Sequence, residues 1–241
     1  SHRRKPFRIP RERRRRAFLL IQFLWSAECL STIERDTHHD FTPDGRFPNH
    51  EPNPLKDENI RDAAAKVRET HADLAACFDG DGDRCMFLGP DGERIPSDLL
   101  TALLARAELR RSPGSAVVYD LRSSRVVPEE IAKAGGKPIR ERVGHAFIKA
   151  TMKKHDAVLG GELSGHYYFR DHFFADSGLM AFAKLLDLLG HEQKSIADLV
   201  APLRRTRATG ELNFHIEDKE EAMERVARTF SDGKLDRLDG I

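Results

Sequence analysis

Apolar and polar positions alternate in blocks over most of this chain. Between residues 57 and 70, Ile60, Ala64, Val67 and His71 fall on one face at helical spacing. The run Leu74-Ala75-Ala76-Cys77-Phe78 and the shorter run 85–88 read as strands on either side of an acidic turn. Pro90-Asp91-Gly92 punctuates the chain as a turn. Ser97 is placed to cap a helix whose Leu99, Leu100, Leu103 and Leu104 pack inward. Residues 116–119 read as a strand, and 126–134 as a helix stopped by Gly135-Gly136. Residues 156–159 read as a short strand. A strongly apolar helix follows over 176–189, ended by Gly190, with Met180 and Phe182 in the core. A helix over 195–203 leads to a linker at 204–207, an alternating strand at 211–216 and a helix at 219–230. This order predicts α/β units followed by the opening of an α+β module, with domain changes near 95 and 205.

Composition narrows the class. Of 241 residues, 39% are hydrophobic and 33% charged, which suits one large or two medium domains with well-charged surfaces. A net charge of +1 supplies no overall field for nucleic acid, so no nucleic-acid partner is expected. Cys29, Cys77 and Cys85 form neither a zinc pattern nor a disulfide framework. Cys77 and Cys85 flank the acidic turn on apolar segments and read as small packed hydrophobes. The first residues differ from the rest. Arg3, Arg4, Lys5, Arg8, Arg11 and Arg13 to Arg16 precede an apolar run at 17–25. That arrangement mimics a signal peptide, but no small-residue cleavage site follows. The apolar part is about 9 residues, against roughly 20 for a membrane span. No membrane partner is expected, and the balance of features predicts a cytoplasmic protein.

The densest chemistry lies in Asp79-Gly80-Asp81-Gly82-Asp83-Arg84. Three carboxylates at every second position on a glycine-spaced turn repel each other unless a cation sits among them. A hard divalent ion such as Mg2+ suits such oxygens. A calcium EF-hand is excluded, since its sixth and twelfth positions require Gly and Glu, and Arg84 and Pro90 stand there. A haloacid-dehalogenase-type phosphatase also places an aspartate pair after a strand, and two further motifs decide against it. Gly160-Gly161-Glu162-Leu163-Ser164-Gly165-His166 alternates Glu162, Ser164 and His166 with spacers, so an extended loop would present a carboxylate, a hydroxyl and an imidazole on one side. That set suits a polyhydroxylated ligand. In Arg142-Val143-Gly144-His145-Ala146-Phe147-Ile148-Lys149, Gly144 would open a helix with His145 in its first turn and Lys149 one turn on. Exposed amides and two cations there favour a phosphate.

In order, residues 47–55, the metal loop, Tyr119-Asp120-Leu121-Arg122-Ser123-Ser124, the 142–149 motif and the 160–166 motif closely resemble the alpha-D-phosphohexomutases. The resemblance covers about residues 40 to 241 and is nearest to the bacterial phosphomannomutase/phosphoglucomutase group. It implies two α/β domains of that type, each a mixed sheet with flanking helices, plus the start of an α+β C-terminal domain. Domain two would occupy 36–95, domain three 96–204 and the start of domain four 205–241, after a non-family head at 1–35. It implies phosphoryl transfer between C1 and C6 of a mannose or glucose phosphate, through a 1,6-bisphosphate and a phosphoserine. Asp79, Asp81 and Asp83 match the Mg2+ ligands, and Arg84 the arginine beside the transferring phosphoryl group. Glu162 and Ser164 match residues that hold sugar hydroxyls. His166 and His145 match active-site histidines, His166 being the candidate for proton transfer. Arg122 stands where some relatives carry lysine, which keeps the cation but changes its donor geometry. Arg122 and Lys149 are the expected substrate-binding cations.

Two family loops have no counterpart in these residues. Nothing resembles the Thr-Ala-Ser-His-Asn-Pro serine loop or the Arg-x-Ser-Asn-Thr-Glu-Pro phosphate loop. The family's first strand of domain two and its glycine-rich turn are not legible in the head either. The resemblance therefore predicts a central piece of a mutase, inactive alone, with a head that is foreign or frame-shifted.

Overall fold

The computed structural model describes Phe47, residues 50–210, Leu212 and residues 214–239, together with the backbone of Leu19–Gln22. The arginine-rich head, Cys29, and Pro48 and Asn49 of the 47–55 motif lie outside the described residues.

Two sheets carry the molecule. The first has the order β1 (Leu19–Gln22), β2 (Leu74–Phe78), β3 (Cys85–Leu88), β4 (Arg94–Ile95). β1 runs parallel to β2, with Leu19 opposite Leu74, and β3 and β4 follow antiparallel. The head is therefore not without a first strand: Leu19–Gln22 pairs with the strand that feeds the metal loop. Helix α1 (Arg61–Thr70), preceded by a 3-10 turn at Asp57–Ile60, packs Ala63 and Val67 on this sheet with Ala75, Cys77, Met86 and Leu88.

The second sheet has the order β6 (Lys137–Glu141), β5 (Ala116–Asp120), β7 (Leu159–Gly161), β8 (Tyr167–Phe169), β9 (Ala175–Asp176). β5, β6 and β7 are parallel, and β8 and β9 antiparallel. Helices α2 (Ser97–Arg111), α3 (Val126–Lys133), α4 (His145–His155), α5 (Gly178–Glu192) and α6 (Ile196–Val200) surround it. A last helix, α7 (Lys219–Thr229), lies beyond the linker.

Helix α2 explains how the sheets are held together. It is buried nearly all round: between Ser97 and Leu109 only Arg106 is part-exposed. Leu99, Leu100, Leu103, Leu104 and Leu109 are all buried in one core that includes Phe78 and Phe87 of the first sheet and Val117, Leu159 and Phe169 of the second. Phe182 of α5 packs edge-on to Phe78 and stacks on Phe87. One continuous core thus fixes the loops of one sheet against those of the other.

Several boundaries differ from the sequence expectation. Ser97 does not cap α2: Pro96 precedes the helix, and the Ser97 hydroxyl donates instead to Met86 Sδ at 3.3 Å. The strand expected at 156–159 begins only at Leu159, because Asp156 takes a left-handed conformation to end α4. Gly190 does not end α5, which runs on to a left-handed Gln193. Its true cap is Ser177, whose hydroxyl accepts from the Met180 amide at 3.1 Å. At 211–216 the described residues form no strand, since no neighbouring strand offers their backbone a partner. Cys77 and Cys85 are buried, as packed hydrophobes should be, and burial pushes the Cys77 thiol up to about 12. No helix among the described residues is long and apolar enough to cross a membrane.

Candidate functional site

The parallel strands point their carboxyl ends at one region, where ligand sites of α/β sheets form. The turn after β2 carries residues 79–84, that after β5 carries 121–124, and that after β7 carries 162–166. After β6 the chain turns into the first residues of α4. The loops are stitched together by backbone. Arg84 and His166 form an antiparallel bridge, and the Cys85 amide donates to Gly165 O at 3.1 Å. The Gly178 amide donates to Gly82 O at 3.3 Å. This contact requires glycine: a Cβ at Gly178 would sit 2.8 Å from Gly82 O and 2.9 Å from Arg84 O. Gly165 has φ +89° and would drive a Cβ to 2.8 Å from Met86 Cε.

In the metal loop, Asp79 is buried and Asp81 exposed, with Asp83 between. One oxygen from each lies within 4.8 Å of the others. Arg84 holds Asp79 through its amide (3.1 Å) and its Nε (2.6 Å). Burial would raise the Asp79 pKa, but these donors bring it below the ordinary value. Asp83 has no such relief. Burial first, and the charge of Asp79 second, push it up to about 6 despite the opposing pull of His166. A divalent cation among these oxygens would remove that repulsion, so the donor set fits Mg2+.

The 162–166 segment is a tight turn rather than an extended loop. The Glu162 amide donates to His166 O at 3.0 Å, and that of Gly165 to Glu162 O at 3.1 Å. Glu162 is turned inward and is only 3% exposed. Its Oε1 accepts from the Gly144 amide (2.9 Å), and its Oε2 from the Tyr168 hydroxyl (2.8 Å), with His166 Nδ1 at 3.3 Å. Burial opposes its charge, but His166, Gly144 and Tyr168 together pull it down to about 2. Glu162 therefore frames the loop through Gly144, Tyr168 and His166. Ser164 Oγ lies 2.9 Å from His166 Nδ1. His166 Nε2 faces Asp83 Oδ2 at 3.6 Å and Asp176 Oδ2 at 4.0 Å. Burial lowers the basicity of His166, but Glu162, Asp83 and Asp176 outweigh it and raise the pKa.

The cations line the same region. Lys149 Nζ pairs with Asp176 Oδ1 at 2.8 Å and lies over the Tyr168 ring. Arg122 pairs with Asp120 Oδ2 at 2.8 Å. His145 is exposed in the first turn of α4 and has no side-chain hydrogen bond or ion pair among the described residues. The structure thus brings together Asp79, Asp83, Arg84, Glu162, Ser164 and His166 by direct contact, and joins Lys149 through Asp176. Asp81 joins Asp79 and Asp83 in the carboxylate cluster, while His145 stands apart.

Two residues with no assigned role in the sequence reading prove central to the geometry. Asp120 is fully buried. Its carboxylate accepts from the Ser123 amide and hydroxyl (both 3.0 Å), Arg122 and the Leu163 amide (2.9 Å), tying the β5 and β7 loops together. Asp176 bridges Lys149 and His166. Asp120 lies within the 119–124 motif, which signals its neighbourhood but not its role, and Asp176 carries no signal in the sequence.

Comparison with known proteins accounts for this arrangement. The family model "Phosphoglucomutase/phosphomannomutase, alpha/beta/alpha domain II" matches residues 28–92, and that of domain III matches 96–206. A phosphomannomutase of Methanocaldococcus jannaschii is 41% identical over 199 residues, covering 83% of this chain and 44% of the relative. The phosphomannomutase of Escherichia coli K12 is 40% identical over 203 residues, with the same two coverages. A solved phosphoglucomutase/phosphomannomutase family protein from Burkholderia thailandensis superposes with a TM-score of 0.77 at 29% identity, covering 92% of this chain and 50% of that one. The chain spans less than half the length of the curated relatives it matches. With both domain models matched in sequence order and the loops of both sheets on one face, the chain belongs to the phosphoglucomutase/phosphomannomutase family.

Proposed function

We propose that this chain carries the metal-binding and sugar-recognition part of a mutase that moves a phosphoryl group between C1 and C6 of a mannose or glucose phosphate. The observation that carries the reading is the joining of the 79–84 and 162–166 loops through the Arg84–His166 bridge and the Cys85–Gly165 hydrogen bond. A metal loop and a hydroxyl-and-imidazole loop held in register suit a phosphorylated sugar. The relatives named phosphomannomutase support the substrate class.

Asp79, Asp81 and Asp83 would hold Mg2+, whose charge would neutralise a phosphoryl group in transfer. Arg84, anchored on Asp79, stands beside that position. Ser164 offers a hydroxyl to the sugar, while Glu162 behind it fixes the loop and His166. His166, held between carboxylates, carries a proton it can give to or take from a sugar oxygen. Arg122 and Lys149 supply positive charge, and His145 a ring nitrogen, for the phosphate that is not reacting.

These residues include no counterpart of the family's serine loop. The chain as it stands is expected to bind hexose phosphate with Mg2+ and to show no turnover, the alternative being a remnant that binds sugar phosphate or metal without any catalytic use. A coupled assay for interconversion of mannose 1- and 6-phosphate tests this. Turnover by this chain alone would overturn the remnant reading. Failure of both mannose and glucose phosphates to bind the folded chain would overturn the mutase reading.

A further inference from the structure

We propose a second cation site, sharing Asp83 with the three-aspartate loop and completed by His166 and Asp176, suited to a borderline ion such as Zn2+. One ligand atom from each of His166, Asp83 and Asp176 lies within 4.8 Å of the other two, and His166 Nε2 is 3.6 Å from Asp83 Oδ2 and 4.0 Å from Asp176 Oδ2. Ligands about 2.0–2.2 Å from a tetrahedral zinc stand about 3.3–3.6 Å apart, so Asp83 Oδ2 already stands at that spacing from His166 Nε2, and Asp176 Oδ2 stands within a few tenths of an ångström of it. All three residues are part-exposed, which leaves a fourth position to water or a phosphate oxygen.

The other side of the imidazole is built for the purpose. Its Nδ1 faces the buried Glu162 carboxylate at 3.3 Å and Ser164 Oγ at 2.9 Å. A carboxylate behind a histidine fixes the proton on Nδ1 and leaves the Nε2 lone pair for a metal. Glu162 is itself locked by the Gly144 amide and the Tyr168 hydroxyl, so the ring cannot turn without breaking a buried network. The nearby cations do not block the site. Lys149 engages Asp176 Oδ1 and Arg84 lies 3.9 Å from Asp83 Oδ1, which leaves both Oδ2 atoms toward His166. The imidazole selects for a borderline ion, whereas the all-oxygen loop at 79–83 suits a hard one. Asp83 belongs to both sets, so Zn2+ at the second site competes with Mg2+ at the first and takes His166 out of proton transfer.

The test is metal titration of the whole chain, with Zn2+ and with Mg2+ alone, followed by calorimetry and by the ring-nitrogen resonances of His166. We expect saturable Zn2+ binding that shifts Nε2, and no such shift with Mg2+. His166→Gln and Asp176→Asn should each weaken Zn2+ about tenfold or more, while Asp81→Asn leaves it unchanged. An unmoved His166 ring at Zn2+ saturation would overturn the proposal without recourse to any variant. So would loss of Zn2+ affinity in Asp81→Asn with full retention in Asp176→Asn. Neither outcome depends on mutase activity, so the second site and the function proposed above fail separately.

Discussion

The two loops that meet at the Arg84–His166 bridge treat their carboxylates in opposite ways. At the end of β7, Glu162 is buried more deeply than Asp83 is at the end of β2, yet its pKa lies at about 2 and that of Asp83 at about 6. Burial acts in the same direction on both. The difference is the supply of donors: Glu162 receives an amide, a phenol and an imidazole, whereas Asp83 faces the charge of Asp79. The 162–166 loop is complete in itself, while the 79–84 loop gains most from something positive brought from outside. A buried carboxylate with partners holds structure together, and one repelled by its neighbours is a candidate for binding a cation.

The largest effect should come from emptying the complete loop. Glu162→Ala leaves the Gly144 amide and the Tyr168 hydroxyl without an acceptor, and should cost about 3–5 kcal/mol of stability in a denaturant titration. A loss below 1 kcal/mol would break the comparison.

Acid unfolding should separate the two carboxylates by sign. Glu162 is depressed from 4.5 to about 2, so its contribution is present above pH 4.5 and lost as pH falls toward 2, about 3 kcal/mol in all. Asp83 is raised from 3.8 to about 6, so without metal its contribution becomes more favourable as pH falls through 6 toward 3.8. Stability measured against pH should therefore lose its rise below pH 6 in Asp83→Asn, and part of its fall below pH 4.5 in Glu162→Gln. Saturating Mg2+ should remove the rise in the parent chain.

A smaller change probes the seam. Gly178→Ala places a methyl against Gly82 O and Arg84 O, which should cost about 1–3 kcal/mol and weaken Mg2+ binding by displacing the metal loop. Calorimetry with Mg2+ would show whether the seam matters to the loop. The smallest stability effect belongs to Asp81→Asn. That exposed side chain should shift stability by less than about 0.5 kcal/mol while still reducing Mg2+ affinity.

Much of this was legible in the sequence, for identifiable reasons. β2 and β3 announced themselves as continuous apolar runs around a glycine-spaced acidic turn, and both are wholly buried. α2 and α5 carried enough leucine to be read as core. β6 was missed because Lys137, Pro138, Arg140 and Glu141 make it polar, which an edge strand tolerates. β4 and β9 have two residues each, too few to show a period. At the site, the types and order of the motifs carried the reading. The inward turn of Glu162 did not show, because a period-two pattern cannot distinguish an extended loop from a tight turn. The tie that Asp120 makes between the two loops does not show because Leu163 lies 43 residues away, and Asp176 reaches back to Lys149 and His166.

The most direct test of the account is an amide NMR titration of the folded chain with mannose 1-phosphate and glucose 1-phosphate in Mg2+. Saturable shifts are expected at Asp81, Asp83, Arg84, Arg122, Lys149, Ser164 and His166, as a ligand spans both loops. Shifts confined to other surfaces, or none at millimolar sugar phosphate, would contradict it.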